Sequence, residues 1–275
     1  MSMRTTAIFN LKGGVAKTIT TAALADIMAI KYGKRVLVID ADAQGNLSEY
    51  FGIDTTDVST TLDLLQGTHE PVYSDWVTPA RPDMQIDIIP ADMRLMYADV
   101  DVYEGRMTSR HSMEELRQAI ELDAESSDPD CQADAYDHML IDCPPAFSAA
   151  SYAALNAADD VIIPIRLDAF STAGMADLIG QISNIARVNA RLRVAGVLVT
   201  QYQDTAEERQ ALAYLCQTSL PIYHTVIRRS SRVSAATYAR TPLARFSPQS
   251  AAAQDYMRFV REYLHQEGGA ADGEA

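Results

Sequence analysis

Residues 12–18 read Lys-Gly-Gly-Val-Ala-Lys-Thr and lie between an apolar stretch, Thr5–Asn10, and a long helical pattern that starts at Lys17. Two adjacent glycines let backbone amides approach an anion with no Cβ between them, and a helix that begins directly afterwards points its positive end at the same place. The Lys17 ammonium can reach the outer phosphates of a nucleotide, and the Thr18 hydroxyl is placed to bind Mg²⁺. A strand, this loop and a helix, in that order, predict a phosphate-binding turn.

Apolar runs alternate with helical patterns along the whole chain, which is typical of a parallel sheet with helices on both faces. We therefore predict a single-domain α/β P-loop fold whose mostly parallel, twisted sheet has about seven or eight strands. The predicted strands are Thr5–Asn10, Arg35–Ile39, Gln85–Ile89, Met139–Ile141, Asp160–Ile165, Val194–Thr200 and Ile222–Val226. The predicted helices are Lys17–Tyr32, Ser112–Leu122, Ala149–Asn156, Thr172–Val188, Ala206–Thr218 and Ala251–His265.

Two segments interrupt this alternation. Residues 123–135 are acidic, contain a proline and show no periodicity, which predicts an exposed insertion. Residues 266–275 are acidic and glycine-rich, which predicts a disordered tail after a domain that spans residues 1–265. No internal repeat and no shift in composition marks a second domain.

The chain has 275 residues and a net charge of −14, which argues against a protein covered with nucleic-acid-binding surface. A local basic face is compatible with that charge, because several arginines gather in the last third of the chain. The three cysteines form no CxxC pair and the five histidines are scattered, so we expect no metal site made by protein ligands alone. The chain shows no signal peptide and no apolar run of about 20 residues, so we expect a cytoplasmic protein with no membrane partner.

Aspartates follow two of the predicted strands at their carboxyl ends. Asp40 and Asp42 come directly after the second predicted strand, and Asp142 follows the fourth. In an open α/β sheet ligands bind outside these ends, and a carboxylate beside a buried strand needs a cationic or hydrogen-bonding partner. Mg²⁺ bound to Thr18 and to nucleotide phosphates is the natural partner, although each aspartate alone could equally be a turn or capping residue.

Three motifs resemble those of the deviant-Walker ATPases of the ParA/MinD group: the loop KGGVAKT and the strand ends VLVIDADAQGN and MLIDCPP. The last part of the chain is similar to the ParA (Soj-like) branch, where an I-P-R…E-A…G-x-P-L/I pattern corresponds to HTVIRRSSRVSAATYARTPL here. The resemblance extends from about Ala7 to Leu264 and is weak between about Ser48 and His138. It implies a member without an N-terminal helix-turn-helix, since only eleven residues precede Lys12.

The resemblance implies a role for each motif residue. Lys17 and Thr18 correspond to the phosphate-binding lysine and the magnesium ligand, and Lys12 to a lysine that reaches the nucleotide of a partner subunit. Asp42 corresponds to the residue that orients the attacking water, Asp142 to a Walker B aspartate that supports Mg²⁺, and Asp40 to a structural or metal-shell neighbour. The expected sets are catalytic Lys12, Lys17 and Asp42, nucleotide-binding Gly13, Gly14, Val15, Ala16, Lys17, Thr18, Ile19, Arg228 and Arg229, and metal-associated Thr18, Asp40 and Asp142.

For function, the resemblance implies a slow ATPase with ATP and Mg²⁺ as cofactors. ParA-type members dimerise on ATP, bind DNA nonspecifically and drive plasmid or chromosome segregation with a ParB-like partner that stimulates hydrolysis. We expect an ATP-dependent homodimer that is nucleoid-associated when ATP is bound and contacts DNA through Arg228, Arg229, Arg232 and Arg240. Two alternatives stay open: a related ATPase that positions another cargo, and a hydrolysis-poor nucleotide-binding scaffold. MinD-like membrane binding needs a basic amphipathic C-terminal helix, whereas this chain ends in an acidic, glycine-rich segment.

Four positions depart from the family pattern: Ala16 replaces a glycine, Ile19 a threonine, Arg228 a proline and Ala235 a glutamate. The extra methyl group of Ala16 is tolerated if its φ is negative and strains the loop if its φ is positive. The hydrolysis rate therefore depends on the conformation of Ala16, and the changes at Arg228 and Ala235 leave the purine pocket loosely specified.

Overall fold

A seven-stranded sheet forms the core of the computed structural model, which describes residues 3–67, 75–107, 112–125, 135–167 and 174–271. The strands are β1 (Arg4–Ile8), β2 (Val36–Asp40), β3 (Thr78–Arg81), β4 (Ile86–Ile89), β5 (His138–Asp142), β6 (Asp160–Ile165) and β7 (Arg193–Val199). They pair in the order β3-β4-β2-β5-β1-β6-β7, with β3 antiparallel to β4 and every other neighbouring pair parallel. The predicted α/β class with a mostly parallel sheet is confirmed.

Helices connect the strands and cover both faces of the sheet. They are α1 (Lys17–Tyr32), α2 (Asn46–Phe51), α3 (Thr61–Gln66), α4 (Tyr97–Tyr103), α5 (Ser112–Ala124), α6 (Ala149–Ala157), α7 (Met175–Ile185), α8 (Ala206–Leu215), α9 (Ser231–Tyr238), α10 (Leu243–Phe246) and α11 (Ala251–Ala271). Within the described ranges, no helix combines the length and the apolar character needed to cross a membrane.

Alternate residues along the central strands face opposite hydrophobic cores. On β2, Leu37 and Ile39 belong to one core, and Val36 and Val38 belong to the other. The first core includes residues of α5, α6 and α7, and the second includes residues of α1 and α11. Strands β2 and β5 are buried along their whole length, which explains why both read as continuous apolar runs in the sequence.

The parallel register brings the acidic strand ends together. Asp40, the last residue of β2, is the register partner of Asp142, the last residue of β5. Asp142 is also the register partner of Ile8 at the end of β1. The phosphate loop leaves β1 at this edge and enters α1 at Lys17. Because these three strands are parallel, the loop and both carboxylates lie at the same edge of the sheet, where open α/β folds bind ligands.

The predicted strand at Ile222–Val226 is wrong. This segment makes an isolated bridge with β7 and no ladder. The carboxylate of Glu262, on α11, accepts the backbone amides of His224 and Thr225 at 2.6 and 3.0 Å. Those amides are therefore used by a side chain and cannot donate to a neighbouring strand.

One observed strand was not predicted, and parts of two predicted segments lie outside the described ranges. Strand β3 is not among the predicted strands, because it has only four residues and contains a proline, which is typical of an edge strand. Residues 172–173 of the predicted helix Thr172–Val188 and residues 126–134 of the predicted insertion lie outside the described ranges.

The last helix is longer than predicted. α11 continues to Ala271, so residues 266–271 of the predicted tail are helical, and residues 272–275 lie outside the described ranges. The side chain of Glu267 is only 16% exposed, and its Oε1 lies 3.9 Å from Nδ1 of His138 on β5. Glu267 is therefore packed against the domain near the start of the added turn.

Candidate nucleotide site at the carboxyl edge of the sheet

Asn10 anchors the beginning of the phosphate loop. Its side-chain oxygen accepts the backbone amide of Lys12 at 2.9 Å, and its amide nitrogen donates to the carbonyl oxygen of Pro164 at 2.7 Å. Pro164 lies on β6, so Asn10 ties the loop to the strand beside β1. The sequence analysis predicts Asn10 only as the last residue of a strand. Its polar side chain directly before the loop is the signal that could have indicated its role as an anchor of the loop.

The other side of the loop is held by the end of β7. Thr200 Oγ1 donates to the carbonyl oxygen of Val15 at 3.0 Å, and Gln201 Nε2 donates to that of Gly14 at 2.7 Å. These bonds use carbonyl oxygens of the loop, which favours a conformation whose amide groups remain available to an anion. Thr200 and Gln201 are absent from the predicted site, because their contact with the loop depends on the order of the strands and on no local motif.

The Lys17 ammonium lies inside the loop. The residue is 7% exposed, and Nζ donates to the carbonyl oxygens of Asn10 and Lys12, both at 3.1 Å. An ammonium has three N–H groups, so these two bonds leave one for an anionic ligand. Burial lowers the pKa of Lys17, and the carboxylates of Asp142 and Asp42 oppose that shift because they favour the charged form.

Ala16 adopts the left-handed conformation directly before α1, with φ 65° and ψ 34°. Gly14 is left-handed as well, with φ 72°. Glycine enters this region freely, whereas a residue with a Cβ loses roughly 1–2 kcal/mol there. The sequence leaves open whether the φ of Ala16 is negative or positive. The structure shows a positive φ, which is the case that strains the loop.

We expect Ala16→Gly to raise the free energy of unfolding by about 1 kcal/mol, because it removes the steric cost at a left-handed residue. Gly14→Ala is the matched control, since a Cβ built on Gly14 meets no atom within 4 Å and only the backbone preference changes. That variant should lose a similar free energy. Urea denaturation measures both, and an Ala16→Gly variant no more stable than the parent protein would contradict strain at residue 16.

Asp142 is a buried carboxylate at the end of β5. Its Oδ1 accepts the Thr21 hydroxyl at 3.4 Å, and the nearby Thr18 hydroxyl also favours the charged form of the carboxylate. Among the described residues, no donor reaches the buried Oδ2. Burial and the nearby Asp40 raise the pKa of Asp142 well above its usual range, whereas Thr18 and Lys17 lower it. An unpartnered carboxylate oxygen beside a hydroxyl fits a hard divalent cation such as Mg²⁺.

That cation would need ligands from outside the protein. In the part of the chain that the structure describes, no group of three or more His, Cys, Asp or Glu residues is arranged to hold a metal ion. Mg²⁺ commonly keeps several waters and is held by one or two protein oxygens together with substrate phosphates. The donors present therefore fit Mg²⁺ that arrives with a nucleotide better than a permanently bound metal.

Asp40 and Asp42 have different environments although they are two residues apart. Asp40 is fully buried, and its Oδ2 accepts the amide and the hydroxyl of Ser48 at 2.9 and 2.7 Å. Its Oδ1 accepts the amide of Asp42 at 3.2 Å. Burial raises the pKa of Asp40 to about 6, and the hydrogen bonds lower it. Both oxygens of Asp40 are thus used inside the fold, whereas Asp42 is half-buried and lines the cleft beside the loop.

A cleft of about 940 Å³ opens over the phosphate loop. It is lined by residues of α2, of α9 and of the turn after α9, and by Gly13, Lys17, Thr18, Asp42 and Pro145. A second pocket of about 330 Å³ shares loop residues with the cleft and is also lined by Ile19, Arg228, Arg229 and Tyr256. Both volumes are in the range of small-molecule sites.

The four arginines predicted to bind DNA have different environments. Arg228 forms a bidentate ion pair with the fully buried Asp255, with both N–O distances at 2.8 Å. Arg240 is left-handed, with φ 46°, and lines the cleft. Arg229 is exposed and donates to one neighbouring amide oxygen at 3.3 Å, and Arg232 is exposed at the start of α9. Arg228 therefore stabilises the fold and Arg240 belongs to the cleft wall, while Arg229 and Arg232 are surface cations.

Comparisons with known proteins identify the family. A family model described as an AAA domain matches residues 3–194. The chromosome partitioning protein ParA of Caulobacter vibrioides is 35% identical over 269 residues, which cover 96% of this chain and 95% of that protein. The chain belongs to the ParA family of ATPases. Another ParA-family relative, the chromosome-partitioning ATPase Soj of Thermus thermophilus, is 31% identical over 272 residues, which cover 95% of this chain and 96% of Soj.

A solved structure also has the fold of this ParA-family chain. The crystal structure of cobyrinic acid a,c-diamide synthase from Mycobacterium smegmatis with bound ADP and magnesium matches it with a TM-score of 0.76 at 26% identity. The match covers 97% of this chain and 96% of that one. Membership of the ParA family makes the chain a nucleotide-hydrolysing protein of the partition and positioning class.

Proposed function

We propose that this ParA-family chain is a slow ATPase that dimerises when ATP is bound, binds DNA nonspecifically and segregates a plasmid or chromosome together with a ParB-like partner. The observation that carries the proposal is the pairing of two features at one edge of the sheet. The Lys17 ammonium is buried with one N–H left for an anion, and Asp142 Oδ2 lies at the same strand edge with no hydrogen-bond donor among the residues that the structure describes. Together they provide a cation for phosphate oxygens and an acceptor for the Mg²⁺ that accompanies them.

The cleft residues divide the chemistry of ATP hydrolysis among them, with ATP and Mg²⁺ as cofactors. Lys17 and the loop amides bind the phosphates, and Thr18 and Asp142 would hold the metal ion. Mg²⁺, when bound, neutralises charge on the transferred phosphoryl group. Asp42 orients the attacking water, because its carboxylate lines the cleft and retains an acceptor oxygen besides the one that binds the amide of Gln44 at 3.0 Å. Strain at Ala16 is consistent with slow turnover.

Exposed apolar side chains near the mouth of the cleft support nucleotide-dependent dimerisation. Leu11 is 40% exposed, Phe147 42% and Met93, which contacts the cleft residue Gln44, 56%. Leu11 precedes Lys12, and Phe147 follows the cleft residue Pro145 by two positions. A second copy that covers this mouth would bury the apolar groups and bring its own Lys12 to the neighbouring nucleotide, so that ATP becomes part of the interface.

The DNA contacts are best assigned to Arg229 and Arg232. Nonspecific DNA binding depends mostly on neutralising phosphates, and a dimer doubles each cation. Arg232 also lies in the first turn of α9, whose positive end adds to the local potential. Arg228 is less suited, because moving it to a phosphate would leave the buried Asp255 with one cation fewer. The net charge of −14 would in turn attract a basic segment of the ParB-like partner.

We expect the double variant Arg229→Glu/Arg232→Glu to bind duplex DNA at least about tenfold more weakly in the presence of ATP and to show a shallower salt dependence. Binding is measured by fluorescence anisotropy at several salt concentrations, with ATP, ADP or no nucleotide. Arg245→Glu is the control, because Arg245 is a surface arginine that pairs with Asp83 at 3.2 Å.

Different outcomes separate the candidate functions. DNA binding by the double variant that matches the parent protein would exclude Arg229 and Arg232 as the contacts. No ATP-dependent DNA binding by the parent protein would favour a related ATPase that positions another cargo. Phosphate release that stays at the background rate even with DNA and the partner would favour the hydrolysis-poor scaffold, the candidate that the left-handed Ala16 supports.

A further inference from the structure

A buried ion pair joins α1 and β3 beside the cleft. Asp26, on α1, is 1% exposed, and its Oδ1 lies 3.3 Å from Nε of Arg81 at the end of β3. The hydroxyl of Tyr50, on α2, donates to Asp26 Oδ2 at 2.6 Å. Asp26 lies on the helix that begins with Lys17 and Thr18, so this cluster is attached to the element that carries the phosphate-binding side chains.

The Arg81 guanidinium also packs on α2. It lies 5.4 Å from the centre of the Tyr50 ring and 5.0 Å from that of Phe51, within the range of cation–π contacts. Its side chain is only 15% exposed. The planar guanidinium thus contacts a carboxylate and two aromatic rings at once, and an ammonium in its place could not reproduce these contacts.

The remaining contact of Arg81 reaches the cleft wall. One terminal nitrogen, Nη2, donates to the backbone carbonyl oxygen of Arg240 at 3.2 Å. Arg240 lines the cleft together with Thr237, Tyr238 and Ala239, which precede it. Arg240 is left-handed, with φ 46°, a conformation that is uncommon for a bulky residue and is maintained by surrounding contacts. A hydrogen bond to its carbonyl oxygen is such a contact, because it fixes the peptide plane that follows residue 240.

We propose that Arg81 is a positioning residue of the nucleotide cleft, which holds the wall at Thr237–Arg240 against α1 and α2 through the carbonyl oxygen of Arg240. This inference rests on the proposed binding of ATP in the cleft. Arg81 is not among the residues that line the cleft, so it acts through the wall. Loss of the Nη2 group that donates to the Arg240 carbonyl oxygen should therefore weaken nucleotide binding and leave the chemical step almost unchanged.

The decisive variant is Arg81→Lys. A lysine retains a charge for Asp26, so the protein should fold, with an unfolding midpoint above that of Arg81→Ala. The lysine side chain has a single ammonium in place of the guanidinium, so it cannot contact Asp26 and the Arg240 carbonyl oxygen at the same time. We expect roughly a five- to tenfold increase in both the Kd for a fluorescent ATP analogue and the KM for ATP, with kcat changed by less than about twofold. Arg81→Ala should bind more weakly still and also be less stable, because it leaves Asp26 buried without its cation.

Arg245→Ala is the control, since Arg245 forms a surface pair with Asp83 and does not line the cleft. It should bind the analogue like the parent protein. An Arg81→Lys variant with the parental Kd and KM overturns the positioning role, as does a fall in kcat with an unchanged KM. Failure of the parent protein to bind the analogue would instead overturn the proposed function, so the two failures are distinguishable.

Discussion

Lys17→Ala is expected to lower the affinity for ATP with Mg²⁺ by at least about 100-fold. The substitution removes the buried ammonium that lies among the loop carbonyls. It also leaves the carbonyl oxygens of Asn10 and Lys12 without their donor and removes a cation that offsets the charge of Asp142. Calorimetric titration with ATP and Mg²⁺ measures the loss.

Lys12→Ala is the matched comparison, because both variants remove one lysine from the same loop. If Lys12 acts on the nucleotide of a second copy, its variant should bind ATP as a monomer with nearly parental affinity and lose ATP-dependent dimerisation in sedimentation. ATP-dependent dimers of Lys12→Ala would contradict the cross-subunit role. A Lys17→Ala variant that binds ATP as tightly as the parent protein would contradict the assignment of the cleft as the ATP-binding site.

Asp42→Asn is expected to bind ATP and to hydrolyse it at least about 100-fold more slowly, so that the ATP-bound dimer accumulates. An asparagine keeps the side-chain oxygen that accepts the amide of Gln44 at 3.0 Å, which preserves the turn. It loses the negative charge that orients and activates a water. Phosphate release, together with light scattering in ATP and ADP, measures the two effects.

Asp40→Asn separates a catalytic role from a structural one at the neighbouring carboxylate. Asp40 receives three hydrogen bonds, from the amide and hydroxyl of Ser48 and from the amide of Asp42. An asparagine would place an NH₂ group against at least one of these donors, so the variant should be less stable by about 1–3 kcal/mol.

If Asp42→Asn hydrolysed ATP at the parental rate, the water-orienting role would belong to another residue.

The phosphate loop and the acidic strand ends can be predicted from the sequence because each depends on a short stretch of chain. Glycines before a helix, a lysine and a hydroxyl at fixed spacing, and an aspartate directly after an apolar run are all local patterns. Thr200 could not be found in this way, because its bond to Val15 joins residues 185 positions apart in the chain. The same reason applies to Arg81, whose partner carbonyl on Arg240 is 159 positions away.

By itself, the sequence determined the α/β class, the position of the phosphate loop and the resemblance to the ParA family, since periodicity and motif spacing are properties of the chain alone. The tertiary structure decided the conformation of Ala16, the inward orientation of Asp40 and the pairing of Arg228 with Asp255. Each of these depends on atoms supplied by distant elements: the end of β7 that holds the loop, Ser48 of α2, and a buried carboxylate on α11. Backbone strain and the burial of charge are set by packing, and packing is complete only when those elements meet.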